Sequence, residues 1–84
     1  MADQIARSEK QLGAILRRRR KLSGLTQTEL GEKTRMRQAT VSKLEHGAPA
    51  TQIRVLIAVL AALDLELVVR ARSKSSITDI VDLF

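Results

Sequence analysis

The chain has 84 residues, which is enough for one small domain whose core is only marginally stable alone. Its formal net charge of +6 predicts a polyanionic partner, although charge alone does not separate DNA, RNA and an acidic membrane surface. With one Phe and no Trp, Tyr or Cys, stacking on single-stranded bases, disulfides and thiolate metal sites are excluded. No apolar run is long enough to span a membrane, so we expect a cytoplasmic protein without cofactors.

The N-terminal part of the chain predicts a flexible leader over residues 1–7, followed by a helix. Ser8 is a candidate N-cap, and the helix is expected to end near Leu22, before Ser23 and Gly24. Its apolar face would carry Leu12, Ile15 and Leu16. The five consecutive cations from Arg17 to Lys21 spread around the helix, so only some of them can face one ligand.

Residues 26–45 (TQTELGEKTRMRQATVSKLE) predict two short helices joined by a tight turn. Thr26 and Glu29 have the spacing of a capping box, and Leu30 follows as an inward apolar contact. In the second of these helices, over about 37–46, Val41 and Leu44 share one face. This arrangement is typical of a DNA-binding helix-turn-helix.

The opposite face of that second helix is short, polar and open to a ligand. Glutamine can contact adenine with both ends of its amide, lysine can donate to guanine or phosphate, and alanine and threonine methyls can touch a thymine methyl. The residues on this face are Gln38, Ala39, Thr40, Ser42 and Lys43.

A fourth helix is expected after the break marked by Gly47 and Pro49. Thr51 is its candidate N-cap, and the helix would run from Gln52 to about Leu63. The apolar residues predicted to face the first three helices are Ile53, Leu56, Ile57, Leu60 and Leu63.

Residues 65–72 (LELVVRAR) change to the alternating pattern of a β-strand. A lone strand cannot pair within its own chain, so the same strand of a second copy is the simplest partner. We therefore predict a homodimer whose strand face carries Leu65, Leu67, Val69 and Ala71.

Residues 73–84 predict a flexible tail, in which a serine-rich hinge precedes an acidic and apolar segment. The segment is too apolar to serve only for solubility and too short to fold alone, so we expect it to dock on a partner, either as a short amphipathic helix or in extended form. Its candidate contact residues are Ile77, Ile80, Val81 and Phe84.

The helix-turn-helix segment resembles the Cro/repressor (XRE-type) family. The residues that carry the resemblance are Thr26, Gln27, Leu30, Val41, Ser42 and Glu45. The segment departs from the family at Gly31, where alanine is usual, and at Arg35, where the turn usually has glycine. A non-glycine residue at positive φ costs about 1–2 kcal/mol.

The order of helices, strand and tail is similar to that of HipB-type antitoxins over residues 9–72. This resemblance implies an all-α bundle of four to five helices, plus one C-terminal strand that pairs across a homodimer. It also implies a DNA-binding repressor that autoregulates its operon through double-stranded operator DNA and binds a HipA-type kinase toxin.

The family resemblance also assigns roles to individual residues. Arg20 is expected to form a structural ion pair with Glu45, which leaves Arg17 or Arg18 for phosphates. Gln27 is expected to reach the DNA backbone and to brace the recognition helix. Arg37 would contact either a base or a phosphate. The residues expected closest to the base edges are Gln38, Ala39, Thr40 and Lys43.

Two other functions remain compatible with the sequence. The chain is either a stand-alone repressor without a toxin or a protein-interaction adaptor whose helix-turn-helix is degenerate at Arg35. An enzyme is not expected, because paired carboxylates, a P-loop and a nucleophile elbow are all missing from the sequence. His46, the only histidine, has no second metal ligand at a useful spacing and is expected to be a helix-end residue.

Overall fold

The computed structural model describes residues 3–72, which contain four helices. They are α1 (Glu9–Leu22), α2 (Gln27–Thr34), α3 (Gln38–Glu45) and α4 (Ile53–Ala62). The predicted all-helical bundle is confirmed for this part of the chain. No helix within it has the length and apolar character needed to cross a membrane. The tail residues Ile77, Ile80, Val81 and Phe84 lie outside the described residues.

The first two helices begin where local capping chemistry predicts. Ser8 Oγ accepts a hydrogen bond of 3.1 Å from the backbone N–H of Gln11 at the start of α1. At the start of α2, Thr26 Oγ1 accepts from the N–H of Glu29 at 3.1 Å, and Glu29 Oε1 accepts from the N–H of Thr26 at 2.9 Å. These bonds satisfy amides that a helix start otherwise leaves unpaired. The predicted capping box is therefore present.

The predicted start of α4 is wrong by one residue. Gln52 is the N-cap and makes no side-chain capping bond. Thr51 Oγ1 instead donates to the carbonyl oxygen of Ala48 at 3.1 Å. Thr51 therefore closes the loop between α3 and α4.

The predicted apolar face of α4 is also partly wrong. Leu60 and Leu63 are buried as expected, and so is Val59. Ile53 and Ile57, however, are 70% and 50% exposed. Because α4 is apolar nearly all round, with the sequence IRVLIAVLAA, the periodicity does not identify which stripe meets the core.

An aliphatic core lies between the four helices. It is formed by Leu16, Leu30, Val41, Leu44, Val59, Leu60 and Leu63. Close-packed aliphatic side chains of this kind provide the main favourable term in folding. The core holds the three helices that carry the candidate site in fixed relative positions.

Two glycines bring the end of α3 close to α1. A Cβ placed on Gly13 would lie 2.6 Å from the carbonyl oxygens of both Leu44 and Glu45, and one placed on Gly47 would lie 2.7 Å from Cα of Lys10. Gly47 also has φ +80°, a conformation that glycine adopts without strain. The close approach sets the position of Glu45 relative to α1.

Residues 65–72 form no strand within the described chain. Leu65 packs against the core, whereas Leu67, Val68 and Val69 are 61%, 67% and 93% exposed. A strand is defined by its hydrogen-bonded partner, and the structure holds one copy of the chain. The pairing of Leu67, Val69 and Ala71 across a dimer therefore stays a prediction.

Candidate nucleic-acid interface

The turn between α2 and α3 has the left-handed residue that the sequence indicated. Arg35 is the C-cap of α2, with φ 57° and ψ 42°, and the N–H of Met36 donates to the carbonyl oxygen of Gly31 at 2.7 Å. A Cβ on Gly31 would lie only 2.6 Å from the carbonyl oxygen of Met36. Glycine at 31 thus allows this turn to pack tightly on α2, while Arg35 bears the backbone strain.

A buried ion pair joins α1 to the end of α3. Arg20 Nε donates to Glu45 Oε2 at 2.6 Å and Nη2 donates to Oε1 at 3.0 Å. Arg20 Nη1 also donates to the carbonyl oxygen of Leu25 at 2.8 Å. The two charged residues are only 7% and 6% exposed. The pair implied by the family resemblance is therefore present, and its bidentate geometry fixes the direction of both side chains.

The pKa of Glu45 lies below its ordinary value of 4.5. Burial acts to raise this pKa, but hydrogen bonds from Arg20 and Gln27 together with the positive charges of Arg20 and Arg17 outweigh it. Glu45 is consequently a carboxylate at neutral pH. An ionised carboxylate can only accept hydrogen bonds, so it determines the orientation of each donor beside it.

Gln27 connects this buried carboxylate to the first residue of α3. Gln27 Nε2 donates to Glu45 Oε1 at 3.1 Å, and Gln27 Oε1 accepts from Gln38 Nε2 at 2.5 Å. Because Glu45 can only accept, the amide of Gln27 has one possible orientation, and Gln38 must donate to it. This leaves the carbonyl oxygen and the second N–H of Gln38 for an external ligand.

The outer face of α3 is open beside Gln38. Arg37 is the N-cap of α3 and makes no capping bond through its side chain. Arg37, Ala39 and Lys43 are exposed and Thr40 is half-buried. The structure thus places Gln27 and these predicted α3 residues on one continuous surface.

Ser42 is the least accessible of the predicted contact residues. It is half-buried, and its Oγ lies 3.5 Å from Nδ1 of His46. The same Nδ1 lies 2.7 Å from the carbonyl oxygen of Ser42 and must carry a proton, since a carbonyl only accepts. His46 is the C-cap of α3, as predicted from the sequence.

A groove that the sequence did not predict lies next to this surface. Its α1 side carries Lys10, Arg17, Arg18 and Lys21, and the opposite side carries Gln27 and His46. Lys10 and Lys21 are the residues that sequence reasoning missed. Their spacing of seven and four residues from Arg17 placed all three on one helix face, but nothing in the sequence indicated that α3 ends beside that face.

Comparison with known proteins identifies the family. The helix-turn-helix family model (HTH_3) matches residues 16–69, which is more than half of the chain. The chain belongs to the helix-turn-helix family. A search of the curated proteins gave no match.

Solved structures narrow the resemblance to the HipB type. A chain of the HipA–HipB–O2–O3 complex has 28% identity and a TM-score of 0.78, and the match covers 84% of this chain and 100% of that chain. The HipB–O4 20mer complex gives the same identity, TM-score and coverage. The gene regulator ClgR from C. glutamicum has 34% identity and a TM-score of 0.63 over 69% of this chain and 75% of its own. The predicted HipB-type Cro/repressor resemblance is confirmed.

Proposed function

We propose that this chain is a sequence-specific DNA-binding repressor and the antitoxin of a HipBA-type toxin-antitoxin pair. It acts as a homodimer, binds operator DNA of its own operon and neutralises a HipA-type kinase toxin. The DNA-binding part follows from the helix-turn-helix family and the HipB-type fold. The antitoxin part draws on the similarity to a chain of the HipA–HipB–O2–O3 complex.

The observation that carries the DNA-binding proposal is the hydrogen-bonded series from Glu45 through Gln27 to Gln38. It holds Gln38 so that one acceptor and one donor of its amide point away from the protein. Adenine presents the matching N7 acceptor and N6 donor in the major groove. A side chain already held in position loses less entropy on binding than a free one.

Charge on the same surface suits duplex DNA. Arg37 and Lys43 flank the first turn of α3 and are exposed, and one of Arg17 and Arg18 on α1 serves phosphates. Phosphate contacts fix the register of the protein on the duplex, whereas base-edge contacts specify the sequence. Ala39 and Thr40 supply methyl groups for thymine.

The dimer is proposed on residues that one copy of the chain leaves uncovered. Residues 65–72 would pair as antiparallel strands of two copies, with Leu65, Leu67, Val69 and Ala71 on one face. Ile53 and Ile57 are exposed on α4 and extend the apolar surface available to a second copy. A two-fold dimer of helix-turn-helix units binds inverted half-sites about one helical turn, or a multiple of it, apart.

The DNA-binding proposal is tested by selection of duplexes from a random pool, followed by competition between the selected site and random DNA. Gln38→Ala with Lys43→Ala should abolish the preference for the selected site and leave the fold intact, because each base contact contributes about 1–3 kcal/mol of discrimination. Lys33→Gln with Arg54→Gln, two exposed cations elsewhere, is the matched control. Undiminished selectivity in the α3 variant would refute the proposal.

The toxin-binding proposal is tested with a chain that lacks residues 75–84. The proposed contacts are Ile77, Ile80, Val81 and Phe84, and the negative charge of this segment disfavours DNA. Deletion should leave operator binding within a few-fold of the intact protein and weaken capture of a kinase-like protein encoded beside it. Equal capture by both chains, or a large loss of operator binding, would contradict this assignment.

A further inference from the structure

The groove beside the interface has one wall made by a single face of α1. Lys10, Ala14, Arg17 and Lys21 line it and follow one another at intervals of four, three and four residues, so they share that face. At a rise of 1.5 Å per residue the stripe is about 16 Å long. Ala14, at the middle, leaves room for a ligand to approach the helix backbone.

The positive charge of this wall is not used inside the protein. Lys10, Arg17, Arg18 and Lys21 make no side-chain hydrogen bond or ion pair within residues 3–72. The carboxylate in the groove belongs to Glu45, which Arg20 already neutralises. Four uncompensated cations on neighbouring turns repel one another, and a string of anions along the groove would relieve that repulsion.

Gln27 connects the groove to the proposed base-reading face. It lines the groove and also accepts the hydrogen bond from Gln38 at the start of α3. A helix in the major groove is flanked by the phosphates of the two DNA strands. The strand that passes Gln27 therefore continues along the wall formed by α1.

We propose that this groove binds the phosphodiester backbone of one strand of duplex DNA, with Lys10 and Lys21 as phosphate contacts at its two ends. This inference depends on the proposed DNA-binding function and extends its footprint from α3 to the whole length of α1. Because phosphates carry no sequence information, the groove contributes affinity and register but no base preference.

The first test compares two double variants of the full chain. Lys10→Gln with Lys21→Gln removes two charges from the groove, and Lys33→Gln with Arg54→Gln removes two exposed charges elsewhere. The groove variant should reduce the slope of log affinity against log salt by about 1.8, or 0.9 per phosphate contact, and should weaken binding on the order of tenfold at low salt. The ratio of selected-site to random-DNA affinity should not change.

A second test places a group inside the groove. Ala14→Glu puts a carboxylate among the four cations and repels phosphate, whereas Ala14→Gln adds similar bulk without charge. We expect much weaker DNA binding for the glutamate variant than for the glutamine variant. If wild-type protein shows no selective binding, the proposed function itself fails. If wild type binds selectively but the groove variants match their controls, the inference about the groove is overturned and the function stands.

Discussion

The two sides of this bundle differ in how completely one chain satisfies its own side chains. Where α1 meets α3, Arg20 and Glu45 are buried and bonded to each other. On the α4 side, Ile57 and Val69 are apolar and 50% and 93% exposed. The first side is finished within one copy, and the second is suited to a partner. Substitutions on the two sides should therefore have opposite signatures, in stability for the first and in assembly for the second.

Glu45→Ala should have the largest effect. It leaves Arg20 buried with no carboxylate partner, and breaking a buried pair in this way costs about 3–5 kcal/mol of the free energy of unfolding. Urea denaturation followed by circular dichroism measures this loss. Ile57→Ala is the matched control on the other side, and it should cost far less in a chain kept dilute enough to remain monomeric.

The same pair predicts acid sensitivity. Because folding lowers the pKa of Glu45, its contribution is fully present above the ordinary value and is lost as pH falls through the lowered value. Stability should thus decline on acidification below about pH 4.5. Glu45→Gln should flatten part of this decline. An identical pH profile in wild type and the glutamine variant would contradict the assignment.

Val69→Pro should have the next largest effect, on assembly. Proline removes one amide from the predicted strand pairing, so the variant should be monomeric with its helices intact. Loss of two-site binding should weaken operator affinity on the order of a hundredfold. Light scattering measures the mass, and Val68→Thr controls for a change in the same segment. A proline variant that remains dimeric would show the strand assignment to be wrong.

Gly13→Ala tests the close approach of α1 to α3. Alanine in an open helix position stabilises by up to about 1 kcal/mol relative to glycine. Here its Cβ would lie 2.6 Å from two backbone carbonyl oxygens, so we expect a net loss of roughly 1–3 kcal/mol, as for an overpacked core. The sign of the change in unfolding free energy is decisive, because a more stable alanine variant would mean that the helices separate freely.

The smallest effects are expected at the turn between α2 and α3. Arg35→Gly relieves the left-handed strain but adds freedom to the unfolded chain, which leaves a gain of at most about 1 kcal/mol. Gly31→Ala should destabilise, because the added Cβ meets the carbonyl oxygen of Met36 at 2.6 Å. Thermal unfolding of both variants gives the comparison. Opposite signs support the account of the turn, and a loss for Arg35→Gly contradicts it.

The sequence predicted those features that depend on nearby residues. The capping box of Thr26 and Glu29 and the left-handed Arg35 both follow from spacing within one turn or from the family pattern. The exposed side of α4 was not predictable, because a helix with apolar residues nearly all round has no periodicity that selects one face. The strand near Val69 depends on a second copy.

The candidate site was predictable to a similar extent. The residues of α3 and the pairing of Arg20 with Glu45 came from the family resemblance. The groove did not, because a run of cations on a helix reveals no preferred face until the position of α3 is known. Gln27 was expected to brace the recognition helix, but its bond to the buried Glu45 depends on a three-dimensional arrangement that spacing alone does not give.

The central claim is that the buried carboxylate, acting through Gln27, positions Gln38 for DNA. A double-mutant cycle on selected-site discrimination with Gln27→Ala, Gln38→Ala and the double variant tests it directly. If Gln27 acts through Gln38, the double variant should lose no more discrimination than Gln38→Ala alone, with stability within about 0.5 kcal/mol of wild type for these outer side chains. Additive losses in the double variant would show that Gln27 acts independently and would contradict the claim.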